Sequence, residues 1–140
     1  APLREFRNVY IEQRFLNQQE IAALHKEYGI FLCPTRMDAQ GVSRDEAMAS
    51  GLVPVTNAVT AIPEFVDDSC GILAPGEDAE AMAQGISLLY EHPERFAAMS
   101  AAAATRVREQ SDAQRVIDAE LAVVLDDSGQ IKYRVLEDAA

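Results

Sequence analysis

Residues 29–56 read GIFLCPTRMDAQGVSRDEAMASGLVPVT. The stretch opens on a continuous apolar run, Ile30 to Cys33, closed by Pro34. A run with no polar alternation suits a strand buried on both faces, as in a parallel sheet. A helix is expected over roughly 42–50, stopped at Gly51, which can adopt the left-handed conformation of a helix C-terminus. LVPVT, 52–56, supplies the next strand, weakened by Pro54, which brings no N–H to a ladder. Strand, helix and strand in so short a space form a βαβ unit with parallel strands.

The same alternation continues on both sides. Upstream, NVYIE (8–12) reads as a short strand, and Asn17 with Glu20 makes a capping box ahead of a helix carrying Ile21, Leu24 and Tyr28. Downstream, IPEFV reads as one helical turn and CGILAP (70–75) as another strand. Asp78 caps a helix with Met82, Ile86 and Leu89 on its inner face. Pro93 takes the first position of the next helix, through the alanine-rich FAAMSAAAATRVREQ. Ser111 with Gln114 reads as a further capping box, ahead of an apolar stripe of Val116, Ile117, Leu121 and Val124 that is expected to be core. The sum is an α/β fold, a Rossmann-like parallel sheet flanked by helices. One domain is expected over 1–125. A tail over 126–140 alternates too briefly to choose between edge strand, helix and loose end.

Composition narrows the function. With 12 basic against 23 acidic residues the net charge is −11, which argues against a polyanion partner such as nucleic acid. No run of 18 apolar residues and no signal peptide is found, so a cytoplasmic protein is expected. Cys33 and Cys70 both fall in apolar runs and read as reduced core thiols rather than a disulfide. His25 and His92 are isolated, there is no CxxC, and no metal site or cofactor is expected.

In sheets of this class ligands sit beyond the carboxyl ends of the strands, and TRMDAQGVSRDE lies at such a place. Amides at Gly41, Val42 and Ser43 would be open donors at a helix start, where the dipole favours an anion. Asp38 and Glu46 bracket them, and carboxylates suit vicinal hydroxyls better than phosphates. Acid, amides, acid is therefore a pattern for a nucleotide sugar. A second reading stands beside it: Ser43-Arg-Asp-Glu46 is itself a capping box, and Asp38 a turn former. The glycine fingerprints of dinucleotide and triphosphate sites are absent.

PTRMDAQGVSRDEAMASGLVPVT, then AIPEFV and CGILAPGEDAEAMAQGI, resembles the C-terminal half of the retaining, two-domain glycosyltransferases of GT-B architecture, the large family four group. Asp38 and Glu46 stand where that family carries two acids with seven residues between them. The resemblance covers about Asn8 to Arg108. It implies that Glu46 accepts ribose hydroxyls, that Asp38 lies near the donor sugar, and that the amides of Gly41, Val42 and Ser43 face sugar and diphosphate. It further implies retention without a metal ion. Two positions depart from the pattern: Asp38 replaces the usual Glu, and AQG stands where an aromatic is usual.

The family's acceptor domain and two leading βα units, with their basic pair for the diphosphate, have no counterpart before residue 8. Arg36 and Arg44 read instead as solvated surface charges. A fragment inactive alone is thus implied. If the NVYIE and IFLCP strands do not pair, an open sheet edge would recruit a second copy, as a homodimer or strand swap. Two rival readings are a non-catalytic scaffold module with the same fold and a receiver-like signalling domain. The second requires an acceptor Asp at a strand end and a later Lys, which Asp67, Asp68, Lys26 and Lys132 do not supply.

Overall fold

The structure, a computed structural model, describes residues 2–38 and 41–125. After a 3₁₀ turn at Pro2–Glu5 the elements are α1 (Gln18–His25), β1 (Ile30–Cys33), α2 (Val42–Ala49), β2 (Val53–Asn57), α3 (Ile62–Phe65), β3 (Ile72–Ala74), α4 (Ala79–Glu91), α5 (Pro93–Ser111) and α6 (Ala113–Val124). Among the described residues the sheet has three parallel strands in the order β1-β2-β3. Ile30 lies opposite Val53, and Val55 opposite Ile72.

Pro54 is tolerated in the central strand for a geometric reason. The Val53 N–H donates to Gly29 O at 2.8 Å, toward β1, so the next residue would aim its N–H the other way. Pairing with β3 begins only at Val55, and at Pro54 no donor is required.

Side chains alternate across the pleat, and two cores result. Val53, Val55, Ala74, Met82, Leu89 and Met99 fill one face beneath α4 and α5. Met48, Ile62, Val66, Cys70 and Ala103 fill the other beneath α2 and α3. Ile62 is fully buried, and its truncation to Ala would cost about 2–5 kcal/mol. Gly85 lets α4 lie directly on β3, because a Cβ there would run into the Ile72 side chain. Gly51 stops α2 at φ +87, and its carbonyl accepts from Ser100 Oγ of α5 at 2.6 Å.

The caps at Asn17 and Asp78 form as expected, and Pro93 opens α5. Three expectations are corrected. NVYIE forms no strand. Instead, Asn8, Val9, Tyr10 and Glu12 share a hollow with Leu24 and Tyr28 and with Leu32 of β1, without forming a ladder to that strand. Alternation alone makes no strand without a ladder partner. Ser111 ends α5 and does not cap α6; Asp112 does so, its carboxylate accepting from Arg115 N at 3.1 Å. The α6 stripe is not core: Val116, Ile117, Leu121 and Val124 are exposed. The expected tail at 126–140 lies outside the described residues. Among those described, no helix is long and apolar enough to cross a membrane.

Candidate functional site at the carboxyl edge of the sheet

At the carboxyl ends of the strands the buried Asn57 ties three loops together. Its Oδ1 accepts from Thr35 N at 3.0 Å, after β1, and its Nδ2 donates to Pro75 O at 2.7 Å, after β3. The adjacent Thr56 donates to Cys33 O at 2.9 Å. A polar hollow of about 570 Å³ opens above them, lined by Thr35, Arg36, Met37, Asn57 and Glu77.

Beside this hollow the chain holds Asp38 by its backbone. Asp38 N donates to Thr60 Oγ1 at 3.0 Å, and Thr60 Oγ1 lies 2.6 Å from Asp38 O. Thr60 does so from φ +47, a conformation unfavourable for a β-branched residue and costing on the order of 1–3 kcal/mol. The strain sits at the loop that fixes Asp38.

Gly41 is the N-cap of α2 at φ +68, ψ +49, and makes no side-chain cap. Arg44 N and Asp45 N both bond to Gly41 O, at 2.9 and 3.1 Å. Val42 and Ser43 amides, in the first turn, are without an intrahelical acceptor. Asp38, Gly41 and the start of α2 are thus brought together: a Cβ on Gly41 would stand 2.8 Å from Asp38 Oδ2. Ser43 lies inside the helix rather than at its cap, so the Ser43–Glu46 capping box has no N-cap serine to build on.

Glu46 lies one turn further along α2 and faces α1, where it shares a shallow hollow with Gln18, Ile21, Ala22, His25 and Ser50. On a helix it falls on the same stripe as Val42, four residues back. It is therefore at the flank of the helix start, on the side toward α1. Ala39 and Gln40, the departure from the family pattern, lie outside the described residues.

Of the two arginines read as surface charges, one is and one is not. Arg36 is exposed and ion-paired with Glu77 across the hollow at 2.5 Å. Arg44, expected on the surface, is 2 % exposed. It reaches Asp45 Oδ1 through Nε at 3.2 Å and Nη2 at 3.0 Å, stands 3.7 Å from Asp38 Oδ2, and lies over the Phe65 ring at 4.7 Å. Helical period could have found it, since Arg44 precedes the fully buried Ala47 and Met48 by three and four residues. Asn57 also left a signal, an amide at the carboxyl end of an apolar strand. Thr60 left none.

Both cysteines are free. Burial first, then the Asp38 carboxylate, pushes the Cys33 thiol up, and burial does the same to Cys70. Neither is a ready nucleophile at neutral pH. Among the described residues no three His, Cys, Asp or Glu side chains gather as metal ligands would.

The chain is similar to known proteins in sequence and in fold. The profile of the family described as Glycosyl transferases group 1 matches residues 3–92. WcaL of Escherichia coli (strain K12), whose name places it among glycosyltransferases of colanic acid biosynthesis, is 32% identical over 118 residues. That match takes in 79% of this chain and 29% of WcaL, so the chain spans under a third of that relative. Among solved structures, sucrose-phosphate synthase from Thermosynechococcus elongatus aligns at TM-score 0.69 and 20% identity, over 76% of this chain and 27% of the enzyme. A point mutant of TarM from S. aureus, in complex with fondaparinux, α-GlcNAc-glycerol and UDP, aligns at 0.64 and 18%, over 72% and 21%. The three-stranded parallel sheet with its helices has the fold of part of a GT-B glycosyltransferase. By the family match over most of its length, the chain belongs to the group 1 glycosyl transferases.

Proposed function

We propose that this chain binds the nucleotide-sugar donor of a glycosyltransferase that moves a sugar to a hydroxyl acceptor with retention and without a metal ion. One observation carries the reading: in a chain of this family, α2 begins uncapped at the strand carboxyl ends, beside a tethered carboxylate. The amides of Gly41, Val42 and Ser43 would meet the diphosphate, stabilising it as it departs by an electrostatic, not a nucleophilic, contribution. Asp38 would take sugar hydroxyls from the rim, and Glu46 ribose hydroxyls from the flank.

Affinity of the chain alone should be weak, around millimolar. An exposed helix dipole is worth about 0.3–1 kcal/mol, and the net charge of −11 opposes an anion. No transfer activity is expected of this length by itself. The outer edge of β1 has no strand partner among the described residues, and Leu32 on it is half-exposed. This supports self-association through that edge; light scattering showing only monomer would refute it.

The donor reading is tested by amide NMR titration with UDP-, GDP- and ADP-sugars on the wild type and Glu46→Ala. Shifts centred on 41–46, lost or weakened at least fivefold in the variant, are expected. A well-dispersed spectrum indifferent to all three sugars would overturn the reading.

A further inference from the structure

We propose that Arg44 is a positioning residue for the donor site: from inside the fold it holds the Asp38 carboxylate and the left-handed Gly41 N-cap in place at the start of α2. The functional half of this inference rests on the donor reading above, whereas the structural half does not.

Arg44 occupies an inward position of α2, in line with Ala47 and Met48, both fully buried. Packing alone would be served there by an aliphatic side chain, and replacing a buried ion pair by apolar residues is often neutral or stabilising. A guanidinium must be desolvated, and the chain offsets that with two carboxylates and an aromatic face. Asp45 accepts the Nε and Nη2 donors, Phe65 lies under the planar group, and Asp38 Oδ2 stands 3.7 Å from Nη1. Asp45 is itself held from α5, with Ser111 Oγ 3.4 Å from its other oxygen.

The consequence is geometric. A Cβ at Gly41 would come within 2.7 Å of Arg44 Cζ and Nη1, so the guanidinium lies directly against the turn that aims the first-turn amides. An aliphatic residue could fill this volume but could neither attract Asp38 nor brace the turn by charge. With the backbone of Asp38 fixed by Thr60, Arg44 fixes the other end of that residue. Its fork geometry suits the task better than a lysine point charge.

The test uses the 140-residue chain as wild type, Arg44→Met, Arg44→Lys and Asp38→Asn. Arg106→Met serves as control, because Arg106 pairs with Asp67, outside the donor site. In Arg44→Met the Asp38 amide is expected to exchange at least tenfold faster, with protection in β2 unchanged. Arg44→Lys should recover part of that loss, and Arg106→Met should not reproduce it. In the wild type the Arg44 guanidinium ¹⁵N signals should move on Asp38→Asn, a reading that stands even if Arg44→Met fails to fold. Donor-sugar affinity should fall at least tenfold in Arg44→Met.

A folded Arg44→Met with wild-type Asp38 and Gly41 signals, or unchanged donor affinity, overturns the proposal. So do guanidinium signals indifferent to Asp38→Asn. A wild type that binds no sugar refutes the donor reading and its affinity arm, and the exchange and guanidinium readings then decide the positioning claim alone.

Discussion

Helices α2 and α4 start at equivalent places, each just past the carboxyl end of a strand, and they start in opposite ways. At α4 the Asp78 carboxylate accepts from Ala81 N at 2.9 Å, so the positive end of that helix is satisfied by its own chain. Asn17 and Asp112 do the same for α1 and α6. At α2 a glycine in the left-handed region stands in the cap position and offers no acceptor. A helix end closed by its own carboxylate has little left for a ligand, while an open one invites an anion. The open end is also where the fold invests in rigidity: strained Thr60 and buried Arg44 both converge on Asp38.

The comparison can be broken most forcefully at Gly41. Gly41→Val puts a β-branched residue at φ +68 and drives its Cβ into Arg44 and Asp38. Strain and overpacking together should cost on the order of 2–4 kcal/mol by urea denaturation. Donor binding should disappear. Retained binding would show that the turn does not aim the amides.

Asn57→Ala comes next. It leaves Thr35 N–H and Pro75 C=O without their partner, an expected loss of about 2–3 kcal/mol. Exchange should quicken in the loops after β1 and β3 together. A loss confined to one loop would dissolve the claim that Asn57 ties them.

Asp78→Ala sharpens the contrast from the capped side. It should cost about 1 kcal/mol of stability with donor affinity unmoved, the opposite pattern to Gly41→Val. A parallel loss of affinity would mean that binding follows global stability rather than the open helix end.

The smallest effect is one of pH. Hydrogen bonds from Ser69, and then the nearby Arg106, hold the Asp67 carboxyl below its usual range. A depressed folded value stabilises at any pH above the ordinary carboxylate range, and that contribution is lost as pH falls through the folded value. Asp67→Asn should therefore shrink the drop in urea midpoint between neutral and acidic pH while leaving the donor site alone. Because Asp67 is nearly half exposed, the change should be small.

The βαβ core was legible in the sequence because its signals are local. The apolar run of β1, the Gly51 stop and the Asn17 and Asp78 caps each depend on residues a few positions apart. NVYIE failed because a strand is made by its neighbour, and no local pattern reports whether the neighbour is there. The Ser111 cap failed by one residue, with Asp112 the better-placed acceptor. At the site, Asp38 and Gly41 were found as neighbours, but Arg44 was read by its charge rather than by its helical phase. Glu46 was named as the second acid of the pattern and took its ribose role from the resemblance, and only the folded chain placed it on the flank toward α1.

The most direct test of the donor site is intermolecular NOE spectroscopy on methyl-labelled chain saturated with whichever UDP-, GDP- or ADP-sugar binds. The molecule offers a competing hollow of about 450 Å³ at the opposite, amino end of the strands, lined by Tyr28, Ile30, Ile86, Leu89 and Phe96. Cross-peaks from the nucleotide sugar to the exposed methyls of Val42 are the result expected here. Cross-peaks to Ile30 and Ile86 instead, with Val42 silent, would place the ligand at the wrong end of the sheet and contradict the account.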